Sequence, residues 1–123
     1  MTNDHCLIID SHSFPALPLS YELNQTAFRP DFCLGTDEFH TPEELVAKVE
    51  KTFESCGYST AQDQPFSGTI VPMKHYQKDQ RAQSLMIEIN RWLYLGEDFS
   101  VDREKMKKLV SVLGRVAEVL KEN

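Results

Sequence analysis

The chain has 123 residues, 41% hydrophobic and 26% charged, proportions ordinary for one globular domain spanning 1–123 with its own core. A formal charge of −6 with no Lys/Arg cluster excludes non-specific nucleic-acid binding, which needs dense positive charge. No apolar stretch reaches the ~20 residues that cross a bilayer, so no membrane partner is expected.

The first element is an apolar run, Cys6 to Asp10, predicted as a strand. Residues 11–28 contain Pro15, Pro18 and several polar residues and read as a loop, long enough to suggest a functional reason. Asp31 to Gly35 form a short second strand. Thr41-Pro42-Glu43-Glu44 is a helix start, with Thr41 as N-cap, proline at the first helical position and Glu44 completing a capping box. Leu45, Val46, Val49, Phe53 and Cys56 recur at helical spacing, and Gly57 supplies the stop. Tyr58 to Ala61 are a third strand, Asp63 to Gly68 a turn, and Thr69 to Val71 a short extended piece.

Ser84 to Asn90 alternate cleanly: Leu85, Ile87 and Ile89 face one way, Met86, Glu88 and Asn90 the other. Ser100 and Asp102 are both available to cap a final helix. Its stripe of Met106, Leu109, Val110, Leu113, Val116, Ala117 and Leu120 is expected to pack on the sheet. Strands alternating with helices give an α/β layered fold. Cys6, Cys33 and Cys56 are odd in number and widely spaced; Cys6 and Cys33 lie in apolar runs and read as buried thiols, Cys56 as structural. No basic-then-apolar start resembles a secretion signal, so a cytoplasmic location is expected.

The chemistry-bearing residues gather around two strand ends. Asp10-Ser11-His12-Ser13 closes the first strand, where open α/β sheets place their ligand sites. His12 is either a zinc ligand or a loop histidine with a local hydrogen bond; Asp10 either orients that imidazole or caps the strand. Glu88 sits mid-strand, where the open alternatives are a wet sheet face and a general base; Asn90 shares its face. Arg29 and Arg91 flank strands and could clamp a carboxylate in bidentate fashion or form surface ion pairs. Arg81 is a weaker third. Pro65-Phe66-Ser67-Gly68-Thr69 is a turn in which Ser67 or Thr69 could donate a hydrogen bond and Gly68 could let backbone approach a ligand. His40 and His75 read as surface histidines, with His75 near the Phe-Ser-Gly turn. Phosphate-binding glycine loops, His-Glu-x-x-His pairs and Gly-x-Ser-x-Gly elbows are absent.

In order, Asp10-Ser11-His12-Ser13, Arg29-Pro30-Asp31, Gly35-Thr36, Pro65-Phe66-Ser67-Gly68 and Met86-Ile87-Glu88-Ile89-Asn90-Arg91 resemble the N-formylglutamate amidohydrolase family. The resemblance covers Leu7 to Tyr94. It implies a sheet-centred fold like that of zinc carboxypeptidase-like hydrolases and hydrolysis of an N-formyl or N-acyl amino acid. It also implies zinc as cofactor, with His12 a metal ligand, Asp10 behind it, and Glu88 the catalytic general base. Arg29, Arg91, Asn90, Ser67 and Gly68 would contact substrate. Members of that family are about twice as long and carry an earlier Pro-His-x-Gly type motif at the metal. The expectation is therefore that this chain corresponds to the C-terminal half of such an enzyme. It would pair with a separate N-terminal half or with another copy of itself, or else persist as a non-catalytic half-module that binds a partner or ligand.

Overall fold

The computed structural model describes residues 5–17 and 29–121. Its strands are β1 (Cys6–Phe14), β2 (Phe32–Gly35), β3 (Thr60–Gln62) and β4 (Ala82–Asn90); its helices are α1 (Glu43–Ser55) and α2 (Arg103–Lys121), with a 3-10 turn at Arg91–Leu93. The four strands form one mixed sheet in the order β1-β4-β2-β3. β1 runs parallel to β4, β2 runs antiparallel to β4, and β3 runs parallel to β2. The expected α/β class is what the chain adopts.

One face of this sheet is dry. Phe32 and Leu34 from β2 and Leu85 and Ile87 from β4 join Leu45, Val46, Val49 and Phe53 of α1 and Leu109, Val112 and Val116 of α2 in a single cluster. The period of two in β4 meets the period of 3.6 in both helices there. Phe32 and Phe53 stack with centroids 3.8 Å apart, and the Tyr58 ring meets Phe32 edge-on at 5.3 Å. Burying a phenylalanine this completely contributes roughly 1.5–3 kcal/mol.

Local chemistry explains where the elements start and stop. Thr41 does not cap α1. Its hydroxyl donates to the Ser84 carbonyl at 2.6 Å and accepts the Asp37 N–H at 2.9 Å, so the side chain ties the helix start to β4 instead. Pro42 takes the cap position and its carbonyl accepts the Leu45 and Val46 N–H groups. At the other end Gly57, at φ 89°, adopts the left-handed conformation that lets Tyr58 N–H reach back to the Phe53 carbonyl. Asp102 rather than Ser100 caps α2, accepting the Glu104 and Lys105 N–H groups.

The buried stripe of α2 is Leu109, Val112 and Val116, so Val110 and Ala117, expected inside, face solvent instead. Between α1 and the sheet's start lies His40, fully buried. Its Nδ1 pairs with the Ala82 carbonyl at 2.7 Å and its Nε2 accepts the Gln77 N–H at 2.8 Å. That last bond holds Gln77 at φ 58°. The surface position expected for His40 is thus corrected: two backbone groups at a chain reversal need a ligand with a donor and an acceptor at opposite ends, which neutral imidazole supplies. No helix of the described residues is long and apolar enough to cross a membrane.

Candidate active site

The other face of the sheet carries the polar residues. β1 is longer than expected, continuing past Asp10 to Phe14 in unbroken register with β4. His12 therefore lies within the strand and not in a loop beyond it. Alternation then does two things at once: Asp10 and His12, two apart, share a face, and in-register pairing puts His12 opposite Glu88. The antiparallel neighbour places Cys33 opposite Glu88 on the far side.

Asp10 Oδ1 lies 2.7 Å from His12 Nε2. A carboxylate only accepts, so Nε2 carries the proton in that bond and, in the neutral ring, Nδ1 has the lone pair. Nδ1 is 3.9 Å from Glu88 Oε1, and the His12 side chain is half exposed (52%). Glu88 by contrast is 7% exposed. Burial pushes its carboxyl above the usual glutamate range and the Asp10 charge adds to that, while His12 and Arg91 pull the other way. The site therefore pairs a half-exposed imidazole with a recessed carboxyl group whose pKa burial raises.

A strap formed by residues 65–71 crosses this face. It follows the cis Gln64–Pro65 peptide and passes over Gly35, where a Cβ would collide with the Gly68 carbonyl and with Met86 Cε. Gly68 itself sits at φ 85°. The expected extended piece at Thr69 to Val71 forms no strand; side chains hold it instead. Cys33 Sγ donates to the Phe66 carbonyl at 3.1 Å, Ser84 Oγ donates to the Ile70 carbonyl at 2.6 Å, and Ile70 N–H donates to Asp10 Oδ2 at 3.3 Å. Burial raises the Cys33 thiol above its ordinary range, the strongest of several influences on it. Cys6, expected to be buried, is exposed at the strand's start, and Cys56 is partly covered.

The substrate-contact candidates divide. Arg91 is exposed and its Nε donates to Ser13 Oγ at 3.2 Å, one residue from His12. Arg29 is buried beside the site: Nη1 donates to the Pro15 carbonyl, and the guanidinium lies 5.7 Å and 5.3 Å from the Phe14 and Phe66 ring centroids. Asn90 is on the Glu88 face but its amide serves the fold, with Oδ1 accepting Trp92 N–H and Nδ2 donating to the Pro30 carbonyl. Ser67 is exposed in the strap, next to Gly68. Arg81 is bound to Asp79 by two side-chain bonds at 3.0 and 2.9 Å, away from this face. Sequence reasoning missed Ser84 and Cys33 as members of the site. The available signal for Ser84 was a polar residue in an apolar strand, four before Glu88 and hence on its face.

A catalytic zinc takes three protein ligands. Among the described residues, no group of three His, Cys, Asp or Glu is arranged to hold a metal ion. His12 Nδ1 is one suitable donor, but both Asp10 oxygens are engaged, by His12 and by Ile70. These residues do not by themselves fit a complete catalytic zinc site.

The family model for N-formylglutamate amidohydrolase matches residues 1–95. Among solved structures, the chain is similar to an N-formylglutamate amidohydrolase from Ralstonia eutropha JMP134, with 26% identity and a TM-score of 0.69. That match covers 96% of this chain and 45% of the other, so the chain spans less than half the length of that relative. No curated protein matches it.

Proposed function

The chain belongs to the N-formylglutamate amidohydrolase family, and from that premise we propose that it contributes one half of a site hydrolysing the amide bond of an N-formyl or N-acyl amino acid. The observation that carries this reading is the in-register pairing of His12 with Glu88 on adjacent strands, with Asp10 behind the imidazole. In the reaction, the Glu88 carboxylate takes a proton from water as its oxygen attacks the acyl carbonyl. The same proton then passes to the amide nitrogen as the C–N bond breaks, releasing the acid (formate, for a formyl group) and the free amino acid. Burial of Glu88, which raises its carboxyl pKa, favours return of that proton to the leaving nitrogen. Arg91, exposed and bonded to Ser13, is the candidate to pair with the substrate's carboxylate.

Zinc, in this reading, would be held by His12 together with donors from the remainder of the family fold, and would polarise the acyl carbonyl or the attacking water. A cytoplasmic location and an N-acyl amino acid as the small-molecule partner belong to the same proposal. The donor count favours a second reading, in which this chain is a non-catalytic half-module that binds a partner chain. Formate release from N-formylglutamate, with zinc and the N-terminal half of a family member supplied alongside the chain, decides between them. The hydrolase reading expects turnover that falls by at least ~100-fold in Glu88→Gln, the scale of lost general-base catalysis. No formate release, or equal release by the folded variant, overturns it.

A further inference from the structure

Ser84 has no exposed surface and lies on the same face of β4 as Glu88, four residues away. Its hydroxyl is fully committed. It donates to the Ile70 carbonyl at 2.6 Å, which leaves Thr69 Oγ1, 2.7 Å away, to donate to Ser84 in turn. Both partners are in the strap, in consecutive residues. The same Ile70 whose carbonyl is held by Ser84 directs its N–H at Asp10 Oδ2, 3.3 Å away. Asp10 then uses its other oxygen for His12 Nε2 at 2.7 Å. Ile70 is 61% exposed and does not anchor the strap by packing. What fixes this residue's backbone over the sheet is the pair of hydrogen bonds on its N–H and its carbonyl.

We propose that Ser84 is a positioning residue: by holding the Ile70 carbonyl it aims the Ile70 amide at Asp10, and thereby sets the ring nitrogen that His12 presents beside Glu88. This rests on the reading of His12 and Glu88 as a site. The physical logic is that a carboxylate on an open strand can rotate about its own side-chain bonds, so an imidazole bonded to it alone would not be fixed. A backbone N–H on the second oxygen removes that rotation, and a strap free to lift could not supply it. The sheet, through Ser84, transmits its rigidity across the strap to a side chain on the neighbouring strand.

The test is amide hydrogen exchange of Ile70 together with the NMR signal of the His12 Nε2 proton, in the unaltered chain, Ser84→Ala and Ser84→Thr. The proposal expects Ile70 exchange to accelerate at least 10-fold in Ser84→Ala and the hydrogen-bonded His12 proton signal to be lost, while the β4 amides keep their protection. Ser84→Thr, which retains the hydroxyl, restores both. A folded Ser84→Ala with both signals unchanged overturns the proposal, and so does uniform acceleration of the β4 amides along with Ile70. Should Ser84→Ala not fold, Asp10→Ala probes the same chain of bonds from its other end: Ile70 must lose protection there, and unchanged exchange overturns the proposal. These readouts do not depend on turnover, so absence of formate release would count against the hydrolase reading and leave this outcome decided separately.

Discussion

Replacing His40 by alanine should be strongly destabilising. The imidazole is fully buried and serves two backbone groups, the Ala82 carbonyl and the Gln77 N–H, while its ring lies between Phe39 (4.7 Å) and Tyr76 (5.9 Å). Leaving each buried backbone group without a partner costs about 1–3 kcal/mol. The emptied ring volume adds a cavity term, partly relieved if water enters. Together these come to roughly 3–5 kcal/mol, a large share of the 5–15 kcal/mol typical of a domain. For a chain of this size that corresponds to a fall in Tm of roughly 10–20 °C. Two further variants divide the loss. His40→Asn can keep the donor to Ala82 and His40→Gln the acceptor for Gln77, so each should recover part of it. Thermal and urea unfolding followed by circular dichroism gives the comparison. A loss below about 1 kcal/mol in His40→Ala, or Asn and Gln variants no more stable than alanine, would refute the two-bond account.

Thiol labelling of the native protein should separate the three cysteines: Cys6 reacts first, Cys56 more slowly, and Cys33 only on unfolding, because it is buried, its thiol donates to Phe66, and burial raises its pKa. Mass mapping of the labelled peptides checks the order, and early modification of Cys33 would contradict the strap's placement. Asp79 is held to about 2, chiefly by the Arg81 side-chain hydrogen bond. Since folding lowers this pKa, its stabilisation is complete above the ordinary aspartate range and disappears as the pH falls through the folded value. Asp79→Asn should therefore narrow its deficit relative to the unaltered chain on acidification, the two converging near the acid limit of a pH series of unfolding curves.

Hydrophobic periodicity is a good guide to β4 and α1, but it overstates the α2 stripe, where Val110 and Ala117 face solvent. Leu85, Ile87 and Ile89 are on one side of β4, and the α1 stripe is buried as its spacing predicts. Sequence reasoning erred where a side chain had two possible partners. Thr41 has the letters of a helix cap, but a carbonyl of β4 claims its hydroxyl. Asn90 could have faced a ligand, but the turn after β4 uses its amide. At β1 the polar residues after Asp10 looked like a loop because half-wet strands and loops share a composition; pairing with the whole of β4 decides the matter. Asp10, His12 and Glu88 were legible as individuals. Their mutual geometry was not, since it depends on which strands are neighbours and in what register.

That register also sets how much misalignment the site tolerates. β1 and β4 are parallel and separated by most of the chain, so no tight hairpin fixes how one slides along the other. A slip of one residue would exchange faces, presenting Ile9 and Ser11 where Asp10 and His12 now stand. A slip of two would preserve the face but seat His12 against Met86 or Asn90. Three cross-links oppose both faults: Arg91 on Ser13, Ile70 on Asp10, and Phe14 against Phe66. Each joins β1 to a segment that β4 or the strap holds independently. They act as a vernier, reading the alignment of two strands to the nearest residue, and any change that blurs the scale scrambles the site while leaving the fold's outline intact.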